Sequence, residues 1–265
     1  MNDKLGIDLN QALNVAMRSA REAGAIQTSY LTKNYRIDRK GEIDLVTEVD
    51  LECEKAIIDI IKQTYPDHGA LAEEKGAYSP GHEYKWIIDP IDGTTNYAHG
   101  FPVYCSSVAL EAKGEVIAGA VYDPTRDEMF CAVKGGGAKL NGRPISVSDV
   151  DKLIDSLLAT GFPYTIKTEK INNLSQFGNM SMRAQAIRRP GAAALDLCYV
   201  ACGRLDGFWE YHLKPWDMAG GALIVSEAGG KTTACDGSKL DIYNQHMLAS
   251  NGEIHGAMQE VLELD

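Results

Sequence analysis

The sequence is poor in every feature that would tie it to nucleic acid, to a membrane or to an oxidising compartment. Its richest basic stretch, Arg183 to Arg189, holds three arginines, and the net charge is −11. No basic block stands ready to displace counterions from a nucleic-acid backbone, which argues against non-specific nucleic-acid binding. No apolar run approaches the roughly 20 residues that a membrane-spanning helix requires. The first residues, MNDKLGIDLNQALNVAMRSA, lack a basic start followed by an apolar block. That reads as no signal peptide, and a cytoplasmic location is expected. The six cysteines (Cys53, Cys105, Cys131, Cys198, Cys202, Cys235) form no CxxC pair. They are expected to be small buried thiols under reducing conditions. Cys198 and Cys202 share one face of a predicted helix, but no nearby histidine completes a metal set.

What is present is ordinary for a globular enzyme: 265 residues, 45% hydrophobic and 24% charged. The length allows one large domain or two small ones. Leu9, Ala12, Leu13, Ala16, Met17, Ala20 and Ala23 recur at helical spacing, with Asp8 placed to cap. A second helix is predicted over about 49–65, stopped by Pro66. Short β-rich runs follow at 85–88, 104–110, 116–122 and 129–133, with tight turns between them, which predicts an antiparallel meander. Lys134-Gly135-Gly136-Gly137 resembles a phosphate-cradling loop, but no GK[ST] follows, so a turn is predicted. Beyond about residue 145 strands and helices alternate: strands at 157–160, 207–211 and 247–249, and helices at 192–202, 217–228 and up to about 262. The fold class is α/β, antiparallel-rich in the first half (about 1–145) and alternating in the second (146–265).

Chemistry concentrates at WIIDPIDGTTNYAHG, Trp86 to Gly100, where an apolar run ends on Asp89 and Asp92. Either these acids cap a turn, or they hold something that needs negative charge. A strand ending at Asp89, a break at Pro90 and a helix opening near Gly93-Thr94 would bring both carboxylates to one rim. The unpaired N–H groups of that first helical turn would make an anion site. Acids beside an anion site repel the anion unless cations intervene, and hard oxygen ligands of this kind select Mg²⁺. Two further stretches carry acids at comparable places. Leu71-Ala72-Glu73-Glu74 ends a short apolar run on paired acids, and Pro215-Trp216-Asp217-Met218 sets an acid at a helix start. Spacing alone does not join the three stretches, and each has a plain account as a solvated loop or an N-cap.

Asp89-Pro90-Ile91-Asp92-Gly93-Thr94-Thr95-Asn96 and Trp216-Asp217-Met218-Ala219-Gly220-Gly221, in this order, resemble the paired motifs of the inositol monophosphatase family of Mg²⁺-dependent sugar phosphatases. The resemblance runs from Asp44-Leu45-Val46-Thr47-Glu48-Val49-Asp50 to Glu227-Ala228-Gly229-Gly230. It implies a layered α/β/α/β/α sandwich acting as a single catalytic domain, commonly a homodimer, with two to three Mg²⁺ per subunit. Glu73, Asp89 and the carbonyl of Ile91 would hold the first ion. Asp89, Asp92 and Asp217 would hold the second, and Glu73 with waters a looser third. Four carboxylates and a phosphate dianion carry about −6, which roughly three divalent cations neutralise. Thr94 and Asp50, together with Glu73, would serve the attacking water, and Asp92 with the N–H groups of Gly93 and Thr94 would hold the phosphate.

The same resemblance maps substrate contacts onto Glu210 and onto the backbone at Gly191 and Ala193. It places a lysine at Arg39 or Lys40, leaves Lys214 at a variable position, and sets 160–164 nearer the bacterial and archaeal branches. The six histidines and Cys105 are read as structural or surface groups. The expected substrate is a small phosphorylated polyol or sugar, first myo-inositol monophosphate. Fructose 1,6-bisphosphate, histidinol phosphate and a nucleotide 3′-phosphate are the alternatives. Li⁺ inhibition is also implied. A non-catalytic binding protein on the same fold is the rival class, but such a protein should have lost acids that this chain keeps.

Overall fold

The computed structural model describes residues 6–78 and 82–264. The first five residues of the stretch read above as lacking a leader lie outside it. Helix α1 (Leu9–Tyr30) is capped by Asp8, whose side chain accepts the N–H groups of Asn10 and Gln11. Its small buried face, Ala12, Ala16, Ala20 and Ala23, lies against helix α2 (Glu48–Thr64) and a large sheet. Between the two helices runs a short hairpin, β1 (Ile37–Arg39) with β2 (Leu45–Thr47). Thr47 and Asp50 form a reciprocal capping box at the start of α2, so Asp50 is fixed by the helix terminus that it caps.

Strands β3 (Gly69–Ala72), β4 (Gly76–Tyr78), β5 (Tyr84–Asp92), β6 (Cys105–Ala112), β7 (Glu115–Asp123), β8 (Glu128–Val133), β9 (Ala138–Leu140) and β10 (Arg143–Pro144) build one sheet in the order β10-β9-β8-β7-β6-β5-β3-β4. The predicted meander is its middle, β5 to β8. One pairing departs from it: β3 runs parallel to β5. Within the short helix α3 (Thr94–Ala98) the chain turns away from the sheet.

The second half adds β11 (Leu157–Thr160), α4 (Leu174–Ser181), β12 (Ala186–Arg188), α5 (Ala193–Ala201), β13 (Gly207–Tyr211), α6 (Pro215–Glu227), β14 (Lys231–Thr233), β15 (His246–Ser250) and α7 (His255–Leu262). Its sheet, ordered β12-β11-β13-β15-β14, pairs β11 in parallel with both neighbours and places β15 antiparallel.

Alternating side chains sort the layers. On β8, Met129, Cys131 and Val133 join the core with α1 and α2, whereas Phe130 and Ala132 face α5 and α6. On the second sheet Phe208, Met247 and Ala249 meet the other side of that same helix pair. Trp209 and Leu248 point away, to Met180 of α4 and Met258 of α7. Strands β6 to β8 are thus buried on both faces. The result is the expected α/β/α/β/α sandwich, with α5 and α6 as its central layer.

One local reading changes. The strand does not stop at Asp89 but continues through Pro90 to Asp92, with a bulge against β6. Proline lacks the N–H that a regular ladder needs, and a bulge accommodates it. The glycine-rich loop after β8 is a turn whose Gly135 and Gly137 N–H groups donate to the Glu227 carboxylate at 2.7 and 2.9 Å. It therefore cradles an internal anion.

The adjacent glycines of α6 are there for packing. A methyl group at Gly221 would lie 2.6 Å from Leu197 Cβ of α5, and one at Gly220 would lie 2.9 Å from Ser107 Oγ of β6. We expect Gly221→Ala to cost about 1–3 kcal/mol through overpacking. Gly178→Ala, at an open, exposed position of α4, should instead be neutral or stabilise by up to ~1 kcal/mol. Chemical denaturation of the two variants checks the contrast.

Candidate active site

The bulge in β5 answers why two acids three residues apart can work together. Side chains alternate faces along a strand, so residues i and i+3 normally point opposite ways. Here Asp89 pairs with Ser107 and Asp92 with Cys105, three steps on one strand against two on the other. The extra residue restores parity, and both carboxylates face the central helices. The Pro90 carbonyl, freed from the ladder, accepts Gln27 Nε2 at 2.9 Å and Ser106 Oγ at 2.7 Å, which pins the bulge.

Gly93 follows in a left-handed conformation (φ 93°), and a Cβ there would sit 2.9 Å from the Val103 carbonyl oxygen. Only glycine fits both demands. Thr94, at the start of α3, has its Oγ1 2.9 Å from the Ile91 carbonyl and 3.2 Å from Asp50 Oδ1. Asn96 donates to the carbonyls of Val103 and Pro190 (2.7 and 2.9 Å) and so joins this segment to the turn before α5.

The remaining acids arrive from other elements. Glu73 follows β3, with its backbone N–H donating to Ile88 O at 3.2 Å. The next residue's N–H donates to buried Glu54 of α2 at 2.9 Å. Asp217, in the first turn of α6, accepts the Lys214 N–H at 2.7 Å. Asp92 accepts the Ala194 N–H of the α5 terminus at 2.7 Å, a favourable place for an anion. Glu210 extends from β13 across Gly161, where a methyl group would lie 2.2 Å from its Oε1.

These groups line one cavity of about 570 Å³, which also includes Ile91, Gly93, Thr94, Gly191 and Ala193. Every expected site residue is at this cavity except Asp50, which stands behind Thr94. Of the two positions left open for a lysine, Lys40 lines the cavity and Arg39 does not. Lys40 reaches Glu73 at 3.0 Å and Glu74 at 2.6 Å, whereas Arg39 turns to the Glu42 carbonyl. Sequence reasoning missed Gly161, Glu54, Arg189, Asp44 and Tyr164. Gly161 beside a strand end was the one legible hint. The histidines stay outside the acid cluster, although His212 lies on the cavity rim.

Burial and mutual repulsion dominate the electrostatics. Asp89 is pushed well above the usual carboxylate range by burial, then by Glu73, Asp92 and Asp217. Burial also raises Glu73, Asp92 and Asp217 to about 7, although Lys40 opposes the shift at Glu73 and the Ala194 N–H opposes it at Asp92. Glu210 rises to about 8 through burial and Asp217, against the pull of Arg189. Among the described residues, buried Asp89 Oδ1 has no hydrogen-bond partner, a costly state that a proton or a cation relieves.

The donor set is all oxygen, which suits a hard divalent cation. Among the described residues, no three acid, histidine or cysteine side chains already converge as a finished ligand set. The acids are turned instead to Lys40 and to the Ala194 and Lys214 N–H groups. The donor chemistry of the residues present therefore fits such an ion.

Comparison with known proteins accords with this geometry. The profile of the inositol monophosphatase family matches residues 8–263. An inositol-1-monophosphatase of Synechocystis sp. is 46% identical over 257 residues, covering 96% of this chain and 90% of that protein. The Nus factor SuhB of Pseudomonas aeruginosa is 42% identical over 260 residues, with 95% of each covered. The solved inositol monophosphatase of Anabaena (Nostoc) sp. has a TM-score of 0.89 at 42% identity, over 97% of this chain and 96% of that one. Fold, cavity and relatives together define a phosphoric monoester hydrolase. The chain belongs to the inositol monophosphatase family.

Raised carboxyl pKa values set the sign of a pH effect. The folded, cation-free protein keeps protons that the unfolded chain releases above about 4. Stability should therefore fall as pH rises from about 5 towards the values near 7 and beyond. Calorimetric melting of chelator-treated protein between about pH 5 and 8 checks this, and saturating divalent cation should flatten the trend. A cation-free midpoint that climbs across that window would contradict the electrostatic description.

Proposed function

We propose that this enzyme hydrolyses myo-inositol monophosphate, and related sugar phosphates less readily, with two to three Mg²⁺ per subunit. The observation that carries this reading is the meeting of Glu73 after β3, Asp89 and Asp92 of β5, and Asp217 of α6 in one cavity with Glu210. Glu73, Asp89 and the Ile91 carbonyl would hold one ion; Asp89, Asp92 and Asp217 a second; and Glu73 a third. When bound, such ions lower the pKa of a coordinated water and offset charge on the departing oxygen.

The chain's own groups do the rest. Thr94 gives its hydroxyl proton towards Asp50 Oδ1, 3.2 Å away, leaving an oxygen lone pair to orient and deprotonate the attacking water. Asp50 is held for this by two bonds from Thr47, at 2.6 and 2.7 Å, so it is a preset acceptor. The Gly93 and Thr94 N–H groups receive the phosphate. Glu210 and the backbone at Gly191 and Ala193 face the alcohol, where a carboxylate suits vicinal hydroxyls. Both sheets contribute walls, which supports one catalytic domain spanning the chain. Family resemblance supports Li⁺ inhibition, a cytoplasmic location and a homodimer. Among the described residues, no helix is long and apolar enough to cross a membrane.

A panel of inositol 1-phosphate, fructose 1,6-bisphosphate, histidinol phosphate and a nucleotide 3′-phosphate, titrated with Mg²⁺, tests the substrate. If inositol 1-phosphate proves the poorest, the polyol assignment fails. Asp92→Asn should lower kcat more than the roughly 10–100-fold typical of an outer-shell partner, with the melting midpoint preserved or raised. Thr94→Ala should lower kcat while leaving Mg²⁺ affinity, read by calorimetry, within about threefold.

A further inference from the structure

One side of the cavity has no role in the chemistry above. Its inner wall is polar, formed by Glu210, Arg189 and the acids, but its outer wall is Ile43, Phe162, Tyr164 and Ile166. Three of these residues belong to a single loop, 161–173, that lines the same cavity as the acids. Its base is closed by Asn173, fully buried at φ 71°, whose Nδ2 donates to the Gly161 carbonyl at 2.6 Å. Trp209 Nε1 donates to the Asn173 Oδ1 at 2.6 Å and fixes that amide.

The loop is fastened at three further points. Phe162 packs on Phe177 of α4, with ring centroids 5.7 Å apart. The Ile171 carbonyl lies 2.9 Å from His212 Nε2 on the rim. Lys167 pairs at 2.6 Å with Glu42, which belongs to the β1–β2 hairpin that also carries Ile43 and Lys40. The loop and the hairpin thus meet across the mouth of the cavity.

Tyr164 sits at the middle of this cover. It is 53% exposed, because its outer side faces solvent. Burial followed by the charges of Asp44, Glu73, Asp217 and Asp92 pushes the pKa of its hydroxyl up. A large aromatic ring left half bare beside a sugar-phosphate site has an available use. The C–H face of a cyclic alcohol is apolar and flat enough to cover an aromatic ring, while its hydroxyl edge turns to polar groups.

On the reading of the cavity as a polyol-phosphate site, we propose that Tyr164 is a specificity-determining residue whose ring covers the C–H face of a cyclic alcohol while Glu210 takes its hydroxyl edge. The contact selects ring-shaped alcohols over open-chain ones. It acts on the alcohol alone, so phosphate chemistry proceeds without it.

The test compares myo-inositol 1-phosphate with glycerol 2-phosphate in wild type, Tyr164→Ala and Tyr164→Phe. Tyr164→Ala should lower kcat/KM for the inositol ester about 10-fold, mostly through KM. It should change the glycerol ester by no more than about twofold. Tyr164→Phe should match wild type on both, since the ring is kept, and melting midpoints confirm that all three proteins are folded. Equal losses on the two esters, no loss on either, or a Phe variant as poor as the Ala variant would each overturn the proposal. Wild-type rates on the two esters report on the phosphatase reading separately, because that reading requires turnover whatever Tyr164 does.

Discussion

Like charges forced together in a dry place are the constraint around which this molecule is organised. Asp89, Asp92, Glu73 and Asp217 repel one another, and burial strengthens the repulsion by removing the water that would screen it. No local preference of the chain would collect them. They are held by rigid neighbours: a pinned bulge, the first turns of α5 and α6, and a loop tied to Glu54. What the acids lose in mutual repulsion, the packing of the sandwich must supply.

The central layer shows how closely site and core are linked. Helix α6 brings Asp217 to the cavity with its first turn and, one turn later, presses Gly220 and Gly221 against a sheet and a neighbouring helix. The motif Trp216-Asp217-Met218-Ala219-Gly220-Gly221 is therefore half chemistry and half packing. A larger residue at either glycine would lift the helix and move the carboxylate with it. The same holds at Gly161, which leaves room for Glu210.

Much of this was legible in the residues. The long helices declared themselves by spacing, the first also by Asp8, and the meander by its turns. The acid cluster was legible only because two motifs occur in a recognised order, since spacing never joins segments so distant along the chain. The bulge at Pro90 was misread as a strand end, because a proline in an apolar run has two meanings that only the partner strand separates. Helix α4 and strand β12 escaped for a related reason: they are short, and their pattern is set by what packs on them. Tyr164 and Glu54 act through neighbours far away in sequence, and nothing local marks them.

Lys40 closes the account of the charges. Its ammonium bridges Glu73 and Glu74 from a hairpin that lies apart from both. A tethered counter-ion of this kind is present at a fixed, high local concentration from the moment the hairpin forms. Assembly of the sandwich then need not wait for a dissolved cation, because the lysine already offsets part of the acidic nest as it forms.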